Sequence, residues 1–149
     1  MATFASSHNQ HRYSIEDELF VLRPSGEVNP LEARFLADEM RRVAGTEGRI
    51  FLLISLDGMQ KPPPDTRKVI SKTLSTLPLR AAAYFGGGLI IRTVLTLVNR
   101  ASMILRGGAY PVRFCTTESE ARAWLTIQRA EALVPPSPPS QPGPFSAPP

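Results

Sequence analysis

Apolar residues in this chain fall into two kinds of run. Some runs are short and nearly unbroken: "RIFLLIS" (49–55), "LRAAAYFG" (79–86) and "YPVRFCT" (110–116). A short continuous apolar run suits a strand covered on both faces. Other runs repeat at three- and four-residue spacing, which is the period of a helix with one buried stripe. In "VNPLEARFLADEMRRVAG" (28–45), Ala33, Leu36, Met40 and Val43 share a face. Asn29 is placed to cap this helix, Pro30 to occupy its first position, and Gly45 to close it. In "DTRKVISKTLSTL" (65–77), Ile70, Thr73, Leu74 and Leu77 point inward. In "GGLIIRTVLTLVNRASMILRGG" (87–108), Ile91, Val94, Leu95 and Val98 lie opposite a polar strip of Arg92, Thr96, Asn99 and Arg100. "TTESEARAWLTIQRA" (116–130) is a last helix, capped by Thr116 or Thr117. Glu120 lies at capping-box distance from Thr117, and Ala121, Trp124, Leu125 and Gln128 form the inward edge.

Ahead of these, "HRYSIEDELFVLRPSG" (11–26) alternates on either side of Glu16-Asp17-Glu18 and reads as two strands joined by an acidic turn. The predicted order is ββαβαβαβα. Strands that alternate with helices imply a mostly parallel sheet, here five-stranded with an antiparallel edge strand, flanked by helices through right-handed crossovers. One domain spans 11–131. Residues 1–10 are expected to be a flexible lead-in. Residues 132–149, "ALVPPSPPSQPGPFSAPP", are expected to form a disordered, proline-rich tail, because they hold too little apolar surface to offset the entropy of ordering.

Composition narrows the chemistry. The 149 residues carry a net charge of +4, with arginine far outnumbering lysine. The arginines are scattered and match no nucleic-acid motif, so no nucleic-acid partner is expected. One cysteine, Cys115, leaves no internal disulfide and no zinc cluster. Both histidines, His8 and His11, lie near the N-terminus, away from any nucleophile that they could activate, and Gly-x-Ser-x-Gly is absent. The most apolar window, 89–105, is interrupted by Arg92, Asn99 and Arg100, so it is not a membrane span. The start has no secretory signal pattern, and a cytoplasmic location is expected. Gly86-Gly87-Gly88 precedes a helix but lacks the spacing of a dinucleotide fingerprint or a P-loop. No cofactor, metal or enzymatic activity is expected.

The most distinctive segment is "LDGMQKPPPDTRKV" (56–69), which joins a central strand to a helix through three prolines. Thr66 there has two readings. A helix N-terminus with Arg67 and Lys68 alongside favours a phosphate. Alternatively, Asp65 is simply the cap and the two cations are solvated.

The element order resembles the STAS superfamily, the anti-sigma-factor-antagonist fold, and specifically its SpoIIAA-like (STAS/SEC14) branch. The residues that carry the resemblance are "LFVLRPSGEVN", "FLLISLDGM", "DTRK", "AAAYFGG" and "VRFCTTESEARAWL". The resemblance implies a bacterial, non-catalytic regulatory protein that binds a protein partner, such as an anti-sigma factor or a kinase, through 57–66 and the neighbouring helix starts. Asp65-Thr66 matches the family's Asp-Ser phosphorylation position, with threonine for serine. The small residues that usually follow are replaced by Arg67 and Lys68. Asp57 matches the turn at the strand end. The candidate phosphoacceptor or partner-binding residues are therefore Thr66, Asp65, Asp57 and Arg67. A second reading, a carrier of a lipid or other apolar molecule, places the ligand near 88–105, against Ile91, Val94, Leu95 and Val98.

Overall fold

The computed structural model describes residues 2–5 and 10–133. Its six strands form one sheet in chain order: β1 (Ala2–Ala5), β2 (Gln10–Glu16), β3 (Leu19–Arg23), β4 (Ile50–Ser55), β5 (Leu79–Phe85) and β6 (Val112–Cys115). The pairs β1–β2 and β2–β3 are antiparallel; β3–β4, β4–β5 and β5–β6 are parallel. The helices are α1 (Pro30–Glu47), α2 (Pro64–Thr76), α3 (Leu89–Arg106) and α4 (Glu118–Leu133).

The expected α/β order is present, with one strand added. Ala2–Ala5, within the expected lead-in, pairs with Gln10–Tyr13, making the sheet six-stranded rather than five-stranded. Residues 6–9 lie outside the described residues, as does nearly all of the expected tail; Ala132 and Leu133 finish α4.

The layers are unequal. Phe20, Leu22, Leu52, Ile54, Ala82 and Tyr84 face α1, α2 and α3 and form the larger core. Leu19, Val21, Phe51, Leu53, Ala81 and Ala83 face α4, against Ala121 and Leu125. Burial of each such large side chain contributes about 1.5–3 kcal/mol, so β4, buried on both faces, anchors the domain. Ala81 and Ala83 are fully buried, and their short side chains leave room for α4 to come close to the sheet.

Two helix ends differ from expectation. Helix α1 runs through Gly45 and stops at Gly48, whose left-handed φ of 80° ends the hydrogen-bond ladder. At its start, Asn29 caps as expected, and Glu32 completes a reciprocal capping box. Helix α2 is capped by extended Pro63 with Pro64 at its first position, so Asp65 is a first-turn residue, not the cap. Proline's fixed φ pre-sets a helix start, which moves the boundary upstream.

Candidate functional site

The parallel strands β4, β5 and β6 end side by side, and their C-terminal loops build one edge. The turn after β4 is held from two directions. Buried Leu56 donates its N–H to Phe85 O (2.9 Å), and Asp57 Oδ1 accepts the Gly87 N–H (2.9 Å). Gly86 and Gly87 both lie at left-handed φ, 74° and 73°. A Cβ on Gly86 would displace the Asp57 carboxylate from its place against Gly87, and the left-handed φ itself favours glycine there. Arg92 closes the next gap: its Nε donates to Gly86 O (3.0 Å) and its Nη2 to Cys115 O (2.7 Å). The three strand ends are thus laced together by one carboxylate and one guanidinium.

The same loop is stitched to the β3–α1 connection. Gly26 donates to Gly58 O (2.7 Å), and Gln60 donates to Gly26 O (3.0 Å). Thr66 Oγ1 donates to Val28 O (2.8 Å), and Thr66 is fully buried. A phosphate on this hydroxyl requires the first turn of α2 to come away from the β3–α1 connection. Asp57, Gly58, Gln60, Lys61 and Asp65 remain exposed along the edge.

The candidate residues therefore separate. Asp57 and Asp65 present themselves at the edge. Thr66 serves as an internal tie. Arg67 is half-buried and lies on the far side of α2, where it lines a groove with Lys68, Val94 and Val98. Ile91, Val94, Leu95 and Val98 are all buried in the larger core, and Val94 and Val98 also form part of that groove.

The polar strip of α3 is divided: Arg100 is exposed, whereas Asn99 turns inward. Asn99 is buried; its Nδ2 donates to Tyr84 Oη (2.9 Å) and Leu95 O (2.8 Å), and its Oδ1 accepts from Tyr110 Oη (2.6 Å). Tyr110 Oη also meets Ser102 Oγ (3.0 Å). Burial pushes the Tyr84 and Tyr110 hydroxyls up, so both stay protonated; Tyr84 accepts from Asn99 and Tyr110 donates to it. This network pins α3 to β5 and to the connection that follows α3. A partly open apolar pocket lies between β3–β5, α1 and α2 and holds about 60 Å³, against residues such as Leu36, Leu52 and Leu74. An apolar cavity of about 150 Å³ holds a benzene molecule, so this pocket, as it stands in the structure, is smaller than one that takes even a single small ring.

Cys115 is buried, and desolvation raises its thiol pKa, which keeps it a packed apolar group. His11, at the start of the domain, is fully buried. The Ser25 N–H donates to its Nδ1 (3.1 Å), which leaves the ring proton on Nε2, 3.3 Å from Glu32 Oε2.

No protein-family model matches the chain, and no curated protein matches it. Solved structures do. An uncharacterized protein of the DUF3478 family from Shewanella loihica PV-4, with a SpoIIAA-like fold, matches at TM-score 0.56 and 14% identity, covering 82% of this chain and 98% of that one. The anti-sigma factor antagonist SpoIIAA in its unphosphorylated form matches at TM-score 0.55 and 12% identity, covering 78% of this chain and 97% of that one. An anti-sigma factor antagonist from Mycobacterium paratuberculosis matches at TM-score 0.51 and 19% identity, covering 84% and 97%. The chain therefore has a SpoIIAA-like, STAS-type fold, as the order of its elements suggested.

Proposed function

We infer that this chain is a non-catalytic regulatory module that binds another protein through the edge formed by 57–66 and the adjacent helix starts. The observation that carries this reading is the pre-set backbone of that edge. Gly58 and Gln60 are tied to the β3–α1 connection and Asp57 to Gly87, yet Asp57, Gln60 and Asp65 face outward. A surface already ordered loses little entropy when a partner docks. Two of the structurally similar proteins are anti-sigma factor antagonists, which favours a regulatory protein as the partner, an anti-sigma factor or a kinase. Regulation by phosphate on Thr66 fits less well with its inward hydroxyl than simple shape recognition does.

The test is a pull-down with the full chain, with exposed-edge variants Gln60→Lys and Asp65→Lys, and Arg41→Ala on α1 as a distant control. Recovery of a regulator that both edge variants release and the control keeps is the expected result. Equal recovery by all three variants contradicts the proposed surface.

A further inference from the structure

Helix α3 carries more apolar surface than the core uses. Leu97 is 57% exposed and Leu105 is 65% exposed. Together with Val94 and Val98 they form the floor and one bank of a groove about 480 Å³ in volume between α2 and α3. The opposite bank is α2, and it is basic, with Arg67 and Lys68 on the groove. The Nε of Arg67 has no hydrogen-bond acceptor among the described residues. The charged lining of the groove is one-sided: it holds Arg67 and Lys68 and no acid. From residue 64 to residue 106 the chain has seven lysines and arginines and one acid, Asp65.

We propose that the α2–α3 groove receives an amphipathic α-helix of a protein partner, with its apolar face on α3 and acidic residues along α2. A helix laid in a groove reads out as apolar anchors at i, i+3 or i+4, and i+7, which matches an apolar trough along an 18-residue helix. The basic bank selects the sign of the flanking charge and the direction of approach. Other occupants fit less well. A second copy brings cations against cations, with Asp65 as its sole acid in this region. Residues 134–149 carry no charged side chain to meet Arg67 and Lys68. A lipid surface is flat, whereas Val94 and Val98 lie at the bottom of a trough. The proposal rests on the protein-binding reading and gives the partner its chemistry.

The test is selection from a display library of about 20-residue amphipathic helices with randomised flanking charges, using the full-length protein as bait. The enriched helices are then measured by fluorescence anisotropy against the wild type, Leu97→Asp and Lys68→Glu. The expected winners carry acidic flanks. They bind at least about tenfold more weakly to each variant, and their affinity falls with added salt, as attraction between exposed charges requires. Neutral or basic winners, no enriched helix, or binding indifferent to Leu97→Asp each overturn the proposal. Two parallel measurements on the wild type assign the face elsewhere: cosedimentation with phosphatidylglycerol vesicles that Leu97→Asp abolishes, or a concentration-dependent dimer that Leu97→Asp abolishes. The edge variant Asp65→Lys separates the two proposals. If the partner edge is wrong but the groove is right, the pull-down is unchanged while helix binding still depends on Leu97.

Discussion

The α4 face of the sheet and the α2–α3 groove on its other side treat cations in opposite ways. On the α4 face, acids meet the cations. Glu118 takes a bidentate pair from Arg23 (2.7 and 2.9 Å) and a third contact from Arg122 (2.8 Å), which also grips Glu16. Glu18 similarly holds Arg49 and Arg129. On the α2–α3 face, Arg67 and Lys68 flank an apolar groove with Asp65 as the local acid. A chain whose arginines are spread through its sequence thus folds into a neutralised α4 face and, on the other side, a basic bank on α2 beside an α1 whose Arg41 and Arg42 pair with Asp38 and Glu39. The first pattern belongs to the architecture: it ties α4 to the strands. The second leaves charge and apolar surface available for something else.

The sharpest way to break the comparison is to remove the frame that both faces share. Gly86→Ala forces a side chain into a left-handed φ and against the Asp57 carboxylate. It is expected to cost about 3 kcal/mol, read as a lower urea midpoint. Next comes the tie beneath α3. Asn99→Ala strands the buried Tyr84 hydroxyl and leaves Tyr110 with Ser102 alone, and is expected to cost about 2 kcal/mol in the same measurement.

The α4 network gives a pH signature. Its arginines hold Glu118 down at about 2, below the ordinary carboxylate range, with the Arg23 hydrogen bonds as the main cause. A depressed folded-state pKa means that this stabilisation is full above pH 4.5 and is lost as pH falls from there to about 2. Glu118→Gln should therefore remove about 1 kcal/mol at neutral pH, since the pair is partly solvated, and flatten the acid limb of the stability curve. Chemical denaturation at pH 7, 4 and 2.5 checks both the size and the slope. The smallest effect belongs to the open face: Leu97→Asp and Lys68→Glu are expected to leave stability within about 0.5 kcal/mol, because neither side chain is buried.

Much of the frame could be read from the chain alone, because it depends on local periodicity. The unbroken run at β4 and the three- and four-residue stripes of α1 to α4 place the layers, and Asn29 and Thr117 cap where their spacing says they should. What escaped depends on residues distant in sequence. Asn99 at helical spacing with Arg92 and Arg100 looks like part of a wet strip until Tyr84 and Tyr110 arrive from β5 and the α3–β6 connection. Thr66 looks like a presented hydroxyl until Val28 O sits 2.8 Å away. The two faces of arginine were hidden for the same reason: spacing along the chain does not say which acids the sheet brings near. The role of His11 is equally invisible in sequence, because its partners, Ser25 and Glu32, come from the loop after β3 and from α1. The Glu32 half of the α1 capping box, three residues after Asn29, was in plain sequence view.

The division between the faces can be tested by reversing one charge on each. Lys68→Glu and Arg122→Glu are compared for thermal stability and for affinity toward the acidic helix selected on the wild type. The account predicts that Lys68→Glu weakens binding by at least about tenfold with an unchanged melting temperature, and that Arg122→Glu lowers the melting temperature with unchanged binding. If Lys68→Glu binds normally, or if Arg122→Glu abolishes binding in a protein that is still folded, the division between a structural face and a recognition face is wrong.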